Sequence, residues 1–107
     1  MSMMLVLTYM VKYENRTEFQ TLVERFLKFK EGNPKIFDGL KSWRLFQREY
    51  GGVAGSYVEM WEYKSMKEME KVNATMMEHK EMKEIDTEFK KMIEHTTFTQ
   101  SIWNTVA

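Results

Sequence analysis

The sequence predicts an α+β fold, with four strands in one antiparallel sheet and two helices on one face of that sheet. Four segments are rich in the apolar, β-branched and aromatic residues typical of strands, and apolar residues recur at a helical period in two others. These segments follow the order β-α-β-β-α-β. No repeat, linker or low-complexity stretch interrupts the 107 residues, so we expect a single domain over residues 1–107.

The first strand and the first helix have well-marked bounds. Apolar residues lie on both faces of Met3–Lys12, which is typical of a central strand covered on each side. Asn15 and Glu18 have the spacing of a capping box, which predicts a helix start. Gly32 and Pro34 should end this helix. Five large apolar residues share one of its faces: Phe19, Leu22, Val23, Phe26 and Leu27.

The second and third strands form a predicted hairpin over Lys41–Tyr50 and Val53–Tyr63. The pair Gly51-Gly52 between them suits a tight turn, because glycine readily adopts positive φ. Gly55 weakens the third strand and indicates a bulge or a close approach of another backbone. Both strands carry apolar residues on both faces.

The second helical segment is long and ends next to the last strand. Nothing in Ser65–Glu94 is Gly or Pro, and Ser65 with Glu68 forms a full capping box at its start. The apolar stripe slips around Glu78–Glu81, which predicts a bent helix or two helices at an angle. The threonine-rich segment Thr96–Val106 predicts the fourth strand.

This order of elements is that of the ferredoxin-like fold. Right-handed crossovers place both helices on the same face of the sheet, so the opposite face needs another cover. Because both faces are aromatic, an open face would expose more apolar surface than a soluble monomer tolerates. We therefore expect a homodimer in which two copies face each other, sheet to sheet, about a two-fold axis.

The run Tyr57-Val58-Glu59-Met60-Trp61-Glu62-Tyr63-Lys64-Ser65-Met66 alternates aromatic and acidic residues at a strand end and leads into a capped helix. With the order and length of the elements over nearly the whole chain, this run resembles the dimeric α+β barrel superfamily. That superfamily includes antibiotic-biosynthesis monooxygenases, haem-degrading monooxygenases, EthD-like proteins and NIPSNAP-like proteins.

The resemblance implies that a small apolar or aromatic molecule binds between the sheet and the helices. It also implies cofactor-independent monooxygenase chemistry as one activity. A non-catalytic module that binds a ligand or only assembles is the alternative, because fold does not determine function. RNA-recognition motifs share the order of elements, but Val53–Tyr63 lacks their basic, glycine-containing signature.

Several side chains are candidates for the site. Quinone-forming and haem-degrading relatives place a strand tryptophan beside the substrate, and Trp61 is similar to it, with packing in the dimer core as the alternative. Arg44 or His79 is the candidate polar group that orients or deprotonates a phenolic substrate. The predicted ligand-binding residues are Tyr9, Tyr57, Trp61 and Trp103.

The haem-degrading branch implies a further role for His79, which is similar to the helix histidine that ligates haem iron there. His79 lies further from Trp61 than the spacing in that branch. The branch also carries an asparagine on the first strand, where this chain has Thr8 and Tyr9. We therefore expect no cofactor, with haem as the alternative.

Composition bounds the remaining classes. Sixteen Lys and Arg balance sixteen Asp and Glu, which argues against nucleic-acid binding. There is no cysteine and no histidine pattern typical of metal sites, so no metal is expected. The absence of cysteine fits a reducing compartment, so we expect a cytoplasmic protein. The apolar run Met1–Val11 is shorter than the ~20 residues that span a bilayer and is interpreted as a buried strand. The eleven methionines predict either a Met-rich core or a Met-lined pocket.

Overall fold

A computed structural model describes residues 2–107 of the chain. The strands are β1 (Met3–Val11), β2 (Leu40–Gln47), β3 (Tyr57–Tyr63) and β4 (Ile93–Asn104). The helices are α1 (Arg16–Gly32), α2 (Met66–Met76) and α3 (Lys80–Met92). A short 3-10 helix at Tyr13–Asn15 precedes α1.

The four strands form one antiparallel sheet in the order β2-β3-β1-β4. β1 is central, because it pairs with β3 on one side and with β4 on the other. All three helices contribute to one buried cluster on one face of the sheet, which we call the inner face. This arrangement confirms the predicted ferredoxin-like α+β fold and the predicted central position of the first strand.

The slipped apolar stripe marks two separate helices. α2 ends at Met76 and α3 begins at Lys80, so the second of the two predicted arrangements is the one that occurs. The predicted cap at the start of α2 is confirmed, because Ser65 Oγ accepts a hydrogen bond from the backbone N–H of Glu68 at 3.2 Å. Each helix then turns its own stripe toward the sheet, with Val72 buried on α2 and Ile85 on α3.

The predicted tight hairpin turn is wrong. β2 and β3 both stop short of the predicted bounds, and residues 48–56 form a loop between them. Gly51, Gly52 and Gly55 have φ values of 83°, 63° and 86°. The chain therefore turns through three left-handed glycines instead of one pair. The loop closes where the N–H of Gly55 donates to the carbonyl of Arg48 at 2.7 Å.

One predicted cap and one element boundary also differ from the prediction. α1 begins directly after Asn15, but the Asn15 amide donates to Glu18 Oε2 at 3.0 Å and does not cap the helix backbone. β4 begins at Ile93, ahead of the predicted Thr96, because the chain passes from α3 into the strand without a loop. Neither difference changes the topology.

The two faces of the sheet differ in their cover. On the inner face Tyr9 is 1% and Trp61 is 7% exposed beneath the helices. The opposite face, which we call the outer face, carries Val6 in register with Met60, and it carries Trp103, which is 54% exposed. Both faces are therefore apolar, as predicted, but the helices cover only the inner one.

Candidate functional site

A cavity of about 600 Å³ lies between the inner face of the sheet and the three helices. Leucine and aromatic side chains of the sheet form its floor, and apolar side chains of the helices form most of its walls. Part of the helical wall consists of methionines: Met69, Met76, Met77 and Met82. Because thioether side chains are flexible, this wall can adapt to molecules of different shape.

One carboxyl group interrupts the apolar floor. Glu59 on β3 is 8% exposed. Its Oε1 accepts hydrogen bonds from the indole N–H of Trp61 at 2.9 Å and of Trp43 at 3.3 Å. Its Oε2 accepts a hydrogen bond from the hydroxyl of Tyr9. All three donors are neutral, so hydrogen bonds from uncharged groups stabilise this carboxyl group and no positive charge in the described part of the chain pairs with it.

Burial controls the protonation of this group. Removal from water raises the pKa of Glu59, and the hydrogen bonds from Tyr9, Trp61 and Trp43 act in the opposite direction. Burial, and then the neighbouring Glu59 carboxyl, raises the pKa of the Tyr9 phenol above its usual range. Tyr9 therefore keeps its proton and remains a donor. A carboxyl with a shifted pKa in an apolar cleft is a candidate for a functional group.

Strand alternation places the carboxyl in the cavity. Every second residue of β3 points to the inner face: Tyr57, Glu59, Trp61 and Tyr63. The neighbouring strands β1 and β2 supply Tyr9 and Trp43 beside it. The sequence reasoning missed Glu59, although a signal was present, namely an acidic residue among aromatic residues on the same face of a strand.

The structure divides the predicted ligand-binding residues between the two faces of the sheet. Tyr9 and Trp61 line the cavity. Tyr57 lies on the same face with its ring stacked on that of Tyr9, 6.2 Å between centroids, but it does not line the cavity. Trp103 lies on the outer face in register with Met4, so the structure does not bring it to the other three.

The two predicted polar candidates lie outside the cavity. Arg44 is on the outer face of β2, with its guanidinium 4.9 Å from the centroid of the Phe46 ring. It follows Trp43 directly, and the pleat turns successive side chains to opposite faces. His79 is exposed in the turn between α2 and α3, with its ring edge-on to Phe29 at 5.5 Å. Of the three catalytic candidates, only Trp61 contacts Glu59.

The two histidines lie differently with respect to this cavity. His79 does not line it, and His95 lines it only through an exposed side chain on β4. Within residues 2–107, no cluster of three or more histidine or carboxylate side chains is arranged to hold a metal ion. In the same part of the chain, no helix combines the length and the apolar character needed to cross a membrane.

Comparison with known proteins shows a relationship in structure only. No protein-family model matches the chain, and no curated protein matches its sequence. A NIPSNAP family protein from Agrobacterium tumefaciens has a similar structure, with a TM-score of 0.75 and 16% sequence identity. The match covers 99% of this chain and 94% of that protein.

Two other solved structures extend the comparison. SnoaB, a cofactor-independent oxygenase from Streptomyces nogalater, matches with a TM-score of 0.68 at 14% identity, over 97% of this chain and 92% of that one. A dimeric protein of unknown function and ferredoxin-like fold from Bacteroides fragilis matches with a TM-score of 0.63 at 8% identity, over 97% and 96%. These likenesses establish the fold and confirm the predicted structural resemblance to NIPSNAP-like and monooxygenase-like proteins.

Proposed function

We propose that this protein binds one small aromatic molecule in the cavity between the sheet and the helices, with the Glu59 carboxyl as the polar anchor. The observation that carries this proposal is a buried carboxyl group among the apolar and aromatic side chains of the cavity floor. A carboxylate offers about four acceptor positions. Glu59 accepts three hydrogen bonds from donors within residues 2–107, which leaves one position for a ligand. The surrounding aromatic side chains supply flat apolar surface for its rings.

The three indole N–H groups provide a direct test by NMR. Trp43 and Trp61 donate to Glu59, whereas Trp103 is exposed on the outer face. Titration with 2-naphthylmethanol should shift the indole signals of Trp43 and Trp61 and leave that of Trp103 unchanged. The signals are assigned from single Trp→Phe variants.

A pair of glutamate variants provides the control for this titration. Glu59→Gln should weaken binding of the alcohol, because one carboxylate acceptor is replaced by an amide N–H₂. Glu49→Gln changes an exposed glutamate in the loop and should leave binding unaltered. Shifts confined to Trp103, or no shift at all, would contradict binding in this cavity.

Cofactor-independent oxygenation of a phenol or quinol is the second candidate function. It is favoured by the likeness in fold to the oxygenase SnoaB and by the raised pKa of Glu59, which suits a proton acceptor. In such a step the substrate O–H bond breaks, an O–H bond forms on Glu59, and the substrate anion becomes available to O₂. Oxygen uptake with a hydroquinone series tests it. Oxygen uptake should be lost in Glu59→Gln and retained in Tyr57→Phe. If the unaltered protein shows no oxygen uptake, oxygenation is refuted and ligand binding is the remaining proposal.

A homodimer formed through the outer face completes the proposal. Apolar side chains occupy that face without a helix to cover them: Phe46, Val58, Met60 and Trp103, of which Phe46 is 40% and Trp103 54% exposed. The similar protein from Bacteroides fragilis is described as dimeric, which supports this assembly. Light scattering should give twice the chain mass of 12.9 kDa. Met60→Arg should give the single-chain mass, whereas Met66→Arg, on the exposed side of α2, should remain a dimer.

A further inference from the structure

We propose that the molecule bound in this cavity is an organic cation, an aromatic or aliphatic amine whose ammonium group pairs with the Glu59 carboxylate. This ligand class rests on the proposed function, because it names the kind of molecule that the cavity site would accept. The charges in the cavity lining, more than its shape, lead to this class.

The first reason is that the buried carboxylate has no cation. Glu59 takes part in none of the salt bridges within residues 2–107, because no Lys, Arg or His nitrogen there lies within 4.0 Å of its carboxyl group. Folding has already removed this carboxyl group from water, so an entering ammonium group loses its own hydration and must also stabilise the ionised form, whose pKa burial has raised. A neutral molecule would add one hydrogen bond and leave the negative charge uncompensated.

The second reason is the charge of the other lining residues. Besides Glu59, the charged side chains that line the cavity are Glu70 on α2 and the pair Asp86 and Lys90 on α3. Lys90 Nζ lies 3.0 Å from Asp86 Oδ2, so these two charges offset each other. Glu59 and the exposed Glu70 remain as a negative surplus, and Glu59 contributes most of it because water screens the charge of Glu70. An anionic molecule is therefore disfavoured, and a cation is attracted.

The third reason is the aromatic surroundings of the carboxyl. Trp43 and Trp61 donate to Glu59 through their edges, and Phe26 packs against the two indoles with centroid separations of 5.0 and 5.4 Å. The faces of such rings carry negative partial charge and attract ammonium groups. The carboxylate and the rings therefore select the same sign of charge.

Cation binding should also depend on pH in a defined direction. An ammonium group stabilises the ionised form of Glu59, so affinity for the amine should rise as the pH rises through the pKa of that group. α1 lines the cavity with apolar side chains only. The other titratable groups that face Glu59 or the cavity are Tyr9, Tyr63, Glu70, Asp86, Lys90 and His95. A neutral ligand of the same shape should lack this rise.

Three molecules of one shape decide between the ligand classes: 2-naphthylmethylamine as the cation, 2-naphthylmethanol as the neutral form and 2-naphthoate as the anion. Isothermal titration calorimetry on the full chain at neutral pH should show the amine binding about ten-fold more tightly than the alcohol, as expected for a charge-assisted hydrogen bond. The naphthoate should not bind. Glu59→Gln should reduce the amine to the affinity of the alcohol, whereas Glu49→Gln should keep the preference.

The possible failures separate the two proposals. If the alcohol binds as tightly as the amine, or the naphthoate binds best, the cation is refuted and cavity binding stands. A preference for the amine that persists in Glu59→Gln also refutes the inferred pairing. If none of the three molecules binds, both the ligand class and the proposed function fall. The comparison among ligands uses the unaltered protein, so it decides the matter even where Glu59→Gln does not fold.

Discussion

The hydrogen bond from Tyr9 to Glu59 leads to a quantitative prediction about stability. Tyr9→Phe removes only the hydroxyl group and keeps the ring that packs in the core. Tyr9 and Glu59 are 1% and 8% exposed, so bulk solvent has little access to the position that the hydroxyl leaves. Glu59 Oε2 has no other donor within residues 2–107. A buried acceptor left without a partner costs about 1–3 kcal/mol, and we expect the free energy of unfolding to fall by that amount.

Urea denaturation followed by circular dichroism measures this loss, provided that the slope of the transition is unchanged. Tyr57→Phe is the matched control, because Tyr57 stacks on Tyr9 but its hydroxyl forms no hydrogen bond within residues 2–107. Combining Tyr9→Phe with Glu59→Leu in a double-mutant cycle isolates the pair. Equal losses in the two Tyr→Phe variants, or a coupling energy within about 0.5 kcal/mol of zero, would show that this bond does not stabilise the fold.

Four substitutions test the site and the fold. Burial raises the pKa of Glu59 in the folded chain above the ordinary value of 4.5, which applies to the unfolded chain. Between the unfolded and the folded pKa, the folded chain binds more protons, so the free energy of unfolding falls as the pH rises. Thermal melts of Glu59→Gln should lack this fall, so that its stability relative to the unaltered chain increases with pH; parallel pH profiles would contradict it. Gly39→Ala would place a Cβ 2.7 Å from the Cβ of Glu68, so the free energy of unfolding in urea should fall by about 1–3 kcal/mol. Gly32 has open space around it, so Gly32→Ala should raise the free energy of unfolding by about 0.4–1 kcal/mol. Ser65→Ala removes the cap of α2 and should cost about 0.5–2 kcal/mol in the same assay; an unchanged midpoint would mean that the cap contributes nothing.

Local patterns were sufficient to predict most of the elements. The apolar stripe of α1 and the Ser65 cap of α2 act within one or two helical turns, so a short window of sequence contains the signal. The loop at residues 48–56 was mispredicted because glycine permits several turn conformations at similar cost. Pairing between β2 and β3 decides among them, and that pairing involves the whole sheet.

The candidate site was predicted only in part. Tyr9 and Trp61 were identified because aromatic residues on strands supply apolar surface, and both line the cavity. Arg44 and Trp103 were grouped with them, although they lie on the outer face. Alternation shows which residues share a face of one strand, but it does not show which face the helices will cover.

The sequence alone determined the order of the elements, the central first strand and the presence of two apolar faces, because periodicity and capping are properties of neighbouring residues. Only the tertiary structure decided that Glu59 lies buried among Tyr9, Trp43 and Trp61. These residues come from three strands that are distant in sequence, and the register between the strands brings their polar atoms together. A carboxyl group acquires its altered pKa from such neighbours and from the loss of water, and neither is encoded at its own position in the chain.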